Sequence, residues 1–141
     1  MNFSLRGLGI LSLLALLAPA PAQAQATPET VRVELNNVES VKDRCRLTFV
    51  VENKNKEPVE SLQLDLALFD QGGVVRRRIA TEVGPLRAAK TIVKTFVADG
   101  PCGEVGAILV NEVTACKPGK ASECLDALAL ETKVKGVRLF K

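Results

Sequence analysis

The stretch "SLQLDLALF", residues 61–69, places Leu62, Leu64, Leu66 and Leu68 at every second position, with Ser61, Gln63, Asp65 and Ala67 between them. A helix would scatter those leucines around its circumference, whereas an extended chain sets all four on one side. The segment before it follows the same rule. In residues 44–53, Cys45, Leu47, Phe49 and Val51 share one side while Arg44, Arg46, Thr48 and Glu52 mostly share the other, so Cys45 is expected to point into a core. From Val31 onward, short runs rich in valine, leucine, isoleucine and threonine alternate with Gly, Pro, Asn and Asp clusters, the signature of an all-β domain. The pattern predicts strands near 31–39, 44–53, 60–69, 74–82, 90–98 and 105–115, with a last one near 134–140.

"DQGG" at 70–73 marks a tight turn, because glycine accepts the positive φ that hairpin turns demand. Pairing Phe69 with Val74 would set Asp65 opposite Arg78 and Leu66 opposite Arg77. The second pair puts a charge among inward-facing leucines, which calls for a bulge or for an edge position from which the long side chain reaches water. The strand near 90–98 has no clearly polar face, since Val93 and Val97 alternate with Ile92 and Phe96. After Ala115, "CKPGKASECLDALAL" fits a disulfide-closed loop leading either into a helical turn or directly into the last strand.

The N-terminus reads as a secretory leader. Arg6 precedes an apolar run from Leu8 to Ala18 and then "PAPAQAQA", whose small residues suit a peptidase cutting anywhere between residues 22 and 26. The run is shorter than the roughly 20 residues a membrane-spanning helix needs, and no second one follows. Residues 1–24 are therefore expected to be a signal peptide, and residues 25–141 a single exported domain, periplasmic or else secreted. Of the 19 basic side chains Arg6 leaves with the leader, so 18 face 16 acidic ones, a net charge of +2. The signs are interspersed except at Arg76, Arg77 and Arg78, and this is no nucleic-acid footprint.

Residues 47–75, "LTFVVENKNKEPVESLQLDLALFDQGGVV", resemble the strand, Asn-rich turn, strand, "FD-x-x-G" turn and strand of small exported immunoglobulin-like domains of the FxLYD and fibronectin type III-like kind. They are also similar to small secreted bacterial proteins with this layout. The resemblance implies an immunoglobulin-like antiparallel β-sandwich of about seven strands, a role in recognition or scaffolding, and no catalytic residues. Four cysteines in an exported chain of this size imply two disulfides, which can be connected in three ways. In an immunoglobulin-like sandwich the strand of Cys45 faces the one that Cys102 precedes, which pairs Cys45 with Cys102 and leaves Cys116 with Cys124. The second bridge would close a loop whose Pro118 and Gly119 favour chain reversal.

The chemical inventory is short. The absence of histidine removes Ser-His-Asp and Cys-His triads and the commonest ligand for zinc, copper and haem. Thiol exchange would need a C-x-x-C motif or a base beside an accessible cysteine, and neither is present. A carboxylate pair acting on sugars would lack its usual aromatic platform, because the chain has no tryptophan or tyrosine. No cofactor, metal or enzymatic activity is expected. Arg76 and Arg78 alternate with Arg77 along a strand and can act together, either guarding a sheet edge or contacting an acidic partner through their guanidinium groups. The expected function is a non-catalytic domain that binds another envelope or secreted protein. The alternative is an inhibitor of a secreted hydrolase, inserting loop 84–90 or loop 116–124.

Overall fold

The computed structural model describes residues 30–141, so the leader and its cleavage region lie outside the described residues. Eight strands follow in order: β1 (Val31–Val41), β2 (Arg44–Asn53), β3 (Ser61–Asp70), β4 (Val75–Glu82), β5 (Thr91–Asp99), β6 (Val105–Lys117), β7 (Leu128–Thr132) and β8 (Arg138–Phe140). A 3-10 turn at Cys102–Glu104 precedes β6, and a short helix α1 (Ala121–Asp126) precedes β7. The strands form two four-stranded sheets of order β5-β2-β1-β7 and β4-β3-β6-β8.

Each sheet contributes its alternate side chains to the core between them. Cys45, Leu47, Phe49 and Val51 of β2 are buried, as are Leu62, Leu64, Leu66 and Leu68 of β3, and both belong to one hydrophobic cluster. The inward residues of β6 are Val105, Ile108, Val110, Val113 and Cys116, whose spacing is not a strict two. Three bulges against β3 restore the register, each absorbing one residue on β6: Gly106, Asn111 and Thr114. At the first of these a side chain would collide with backbone, since a Cβ on Gly106 would lie 2.8 Å from the Asp70 carbonyl oxygen and 2.9 Å from Gln71 Cα. Glycine is the residue that lets the β3–β4 turn rest on the start of β6.

Both disulfides join the pairs expected from the immunoglobulin-like layout. Cys45–Cys102 has a Cα–Cα distance of 4.7 Å and ties β2 of one sheet to the turn that feeds β6 of the other, and Cys116–Cys124 ties the end of β6 to α1. The chain-entropy model assigns roughly 4 kcal/mol to the first and roughly 2.5 kcal/mol to the second.

Three expectations need correction. The sheets are not wholly antiparallel: β7 runs parallel to β1 and β8 parallel to β6. The strand count rises to eight because residues 128–132 form a strand beside β1, while the last strand is confined to 138–140. The register of the β3–β4 hairpin is Phe69↔Val75, Leu68↔Arg77, Ala67↔Arg78, Leu66↔Ile79 and Asp65↔Ala80, with a bulge at Arg76. From Leu68 inward the pairing has slipped by two residues relative to the simple hairpin, so those side chains keep their expected faces, whereas Val75, now opposite Phe69, moves from the core face to the outer one. Without the bulge, pairing Phe69 with Val75 would set Arg76 against Leu68 and Arg78 against Leu66, two cations on the core face. The bulge leaves only Arg77 there.

The polar break after β2 is also more structural than its composition suggests. Asn53 is fully buried; its Nδ2 donates to the carbonyls of Glu57 (2.9 Å) and Arg87 (3.2 Å), and its Oδ1 accepts from the Asn55 backbone N–H (3.0 Å). One amide thus ties the loop after β2 to the loop before β5, a satisfied polar group in an apolar surround.

The two glycines around the first bulge make a matched test. Gly106→Ala should lower stability by about 1–3 kcal/mol, as overpacking against fixed backbone does. Gly103→Ala, whose Cβ would meet nothing within 4 Å, should change it by less than about 0.5 kcal/mol. Urea unfolding of both variants measures the difference.

Candidate functional site

Arg76 and Arg78 stand on β4, an edge strand, as the guarding reading of the arginine run requires. Each is held by a carboxylate of the same sheet. Arg76 Nε donates to Asp70 Oδ2 at 2.7 Å. Arg78 pairs through Nη2 with Asp65 Oδ2, and its Nε lies 3.3 Å from Asp65 Oδ1. Asn111, the residue extruded by the middle bulge of β6, donates a further hydrogen bond to Asp65 Oδ2 at 2.8 Å. Asp65 is buried on the outer face of its sheet, and the Arg78 hydrogen bond holds its carboxyl below the usual carboxylate range, helped by Asn111 and opposed by burial.

Asp70 organises the β3–β4 turn. Its Oδ1 accepts from the backbone N–H groups of Gly72 and Val74, both at 2.9 Å. The Val74 hydrogen bond, then that of Arg76, lowers its pKa. Gln71 Nε2 donates to the Val105 carbonyl at 3.2 Å and fixes the turn to β6. Arg77, on the core side, reaches past Gly100 to Glu104 at 3.4 Å, with its side chain 18% exposed. Gly100 makes room for that guanidinium, for any Cβ there would overlap it.

Two features of this end of the molecule were not read from the sequence. Val74 and Val75 are 53% and 48% exposed. Along the outer face of the sheet the register sets Val75, Phe69, Ala107 and Arg138 in one row, and Arg78, Ala67, Leu109 and Phe140 in the next. Phe69 and Phe140 are thereby brought to a ring-centroid distance of 6.1 Å, and Arg138 stacks on Phe140 with its Cζ 5.2 Å from the ring centroid. A cleft of about 560 Å3 lies between these side chains, the β3–β4 turn and the loop joining β7 to β8. The available signal was parity: Phe69 is odd-numbered in a strand whose core residues are even. The position of Phe140 carried no such signal, because it depends on a parallel pairing with a distant strand.

The other charged groups of interest serve the fold. On the outer face of the first sheet Arg32 bonds Glu34 (2.8 Å) and Glu52 (2.9 Å), and Asn36 donates to Glu34 (3.0 Å), the main cause of that carboxylate's lowered pKa. Among the described residues no cluster of cysteine and carboxylate side chains is arranged to hold a metal ion, and no helix is long and apolar enough to cross a membrane. Both loops proposed for inhibition are tied down. Leu86 is buried and exchanges backbone hydrogen bonds with Val59 at 2.7 and 2.8 Å, and loop 116–124 is closed by its disulfide onto α1.

No protein-family model, curated protein or solved structure matches the chain.

Asp65, Asp70 and Glu34 all have native pKa values below their ordinary ones. Their ionised forms therefore stabilise the native state above the ordinary carboxylate pKa of about 4, and that contribution is lost as the pH falls through the depressed native values. The urea midpoint should fall between pH 5 and pH 2.5. The fall should be smaller in Asp65→Asn, which starts from a lower midpoint. At neutral pH, Arg78→Glu should lower the midpoint more than Arg76→Glu, because it places a second carboxylate beside buried Asp65 while Asp70 keeps its two backbone donors.

Proposed function

We propose that this chain is an exported, non-catalytic domain of the immunoglobulin-like type that binds another protein in the periplasm or cell envelope through the end of the sandwich carrying the β3–β4 turn. The supporting topology is the arrangement of β1 to β6, in which β5-β2-β1 faces β4-β3-β6 and the chain crosses between sheets after β2, β4 and β5. Strands β7 and β8 then extend the two sheets by parallel pairing. Export rests on the leader and on two disulfides, bonds that persist in oxidising compartments.

The observation that carries the location is the exposure of Val74 and Val75 beside Arg76, continuous with the outward Phe69 and Phe140 pair. Exposed apolar side chains that adjoin one another and are rimmed by charge mark contact surfaces, whereas valines scattered singly do not. Arginine suits such a rim because its fork binds carboxylates at two points and its plane stacks on apolar surface.

Site-specific photocrosslinking in cells tests the assignment. A photoreactive residue replacing Val75 should capture a partner, whereas one replacing Val93, which is 65% exposed on the other sheet, should not. Equal capture at both positions, or none at Val75, would remove this surface from consideration.

A further inference from the structure

The cleft beside the β3–β4 turn contains one charge without a counterpart. Asp70, the acidic group on its lining, is fully engaged by Gly72, Val74 and Arg76. Arg138 is exposed and stacked on Phe140, and among the described residues no carboxylate pairs with it. A guanidinium packed on an aromatic ring keeps its donors free at the ring edge, ready for a two-point bond to an anion. The same cleft presents the Phe69 and Phe140 rings, half-buried, two of the four aromatic residues outside the leader. Cation and apolar surface are adjacent, not at opposite ends.

That adjacency selects among carboxylates. An aspartate or glutamate inside a partner chain carries its charge on a polar side chain and brings no apolar group with it. The last residue of a polypeptide carries an α-carboxylate and its own side chain on the same carbon, which matches a guanidinium standing on the ring that the side chain would touch. A long acyl carboxylate would need an enclosed cavity for its tail, and this cleft is open. Its rim is made by glycine turns at Gly73 and Gly136, both with positive φ, where a Cβ would meet nothing within 4 Å, so an extended backbone can approach closely. We propose that the cleft binds the C-terminal end of an extended partner polypeptide, its terminal carboxylate paired with Arg138 and its last, apolar side chain against Phe69 and Phe140. The proposal rests on the reading of this end as the contact surface.

Fluorescence polarisation with the mature protein and a short fluorescein-labelled peptide ending in leucine tests it. The free-acid peptide should bind, and amidating its C-terminus should weaken binding by about tenfold or more, as loss of a charge-assisted pair does. Arg138→Gln should weaken the free acid to a similar extent and leave the amide unaffected. A thermal melt of that variant should match the parent, since Arg138 is exposed. Decanoate should not displace the peptide. Equal affinity for acid and amide, insensitivity to Arg138→Gln, displacement by decanoate, or no binding at millimolar peptide would each overturn the proposal. Photocrosslinking at Val75 separates this failure from that of the broader reading: a partner captured there equally by the Arg138→Gln variant would keep the contact surface and discard the C-terminal carboxylate.

Discussion

The gap between the two sheets admits apolar side chains and little else, and most local irregularities of the fold follow from that condition. Strand β3 meets it with a strict alternation of leucines. Strand β6 lacks such an alternation and meets it by extruding Gly106, Asn111 and Thr114 as bulges, which keep Val105, Ile108, Val110, Val113 and Cys116 facing inward. Strand β4 carries three consecutive arginines and extrudes the first, so that only one guanidinium enters the interior side. The bulges also have local uses. Gly106 seats the β3–β4 turn, and Asn111 is left free to hydrogen-bond Asp65.

Burial alone gives a chain of this length a modest margin, because small domains bury a lower fraction of their surface. The Cys45–Cys102 bond adds a covalent tie between the sheets, its Cys45 end fully buried, and it constrains the unfolded chain over most of the middle of the sequence. Cys45 belongs to the hydrophobic cluster, and Cys102 packs against it half-buried. The Cys116–Cys124 bond acts at the opposite end of β6, where it anchors α1. Lys141 reinforces that helix by donating to the carbonyls of Leu125, Asp126 and Leu128 at 2.7 to 2.9 Å.

Legibility in the sequence followed the locality of the interactions. Strands β2 and β3 could be read directly because their burial patterns are periodic and each lies inside its sheet. Strand β5 resisted because it is an edge: Ile92, Phe96 and Ala98 face the interior while Val93 and Val97 face solvent, so both sides are apolar. Strands β7 and β8 are short and pair in parallel with partners far away in the sequence, so no turn signal announces them. The arginine run called for a bulge or an edge position, and β4 has both, but the run did not say which residue is extruded, so the hairpin was placed two residues out of register. Of the candidate site, the arginines were visible as a charge run, whereas their internal partners and the aromatic cleft required the outer-face rows that only sheet pairing defines. Asn53 was read as part of a polar turn because a buried amide and a solvated one look alike in composition.

Arg77 and Lys94 have a wider consequence. They belong to β4 and β5, edge strands of the two sheets, and both project toward the space between the sheets, Arg77 toward Glu104 and Lys94 toward the Gly84 carbonyl at 3.5 Å. A foreign strand docking on either edge would enclose a cation, so these edges discourage backbone-to-backbone addition, which is indifferent to sequence. With those edges guarded, the contact surface proposed above is one of side chains at the end of the sandwich and not of exposed strand backbone.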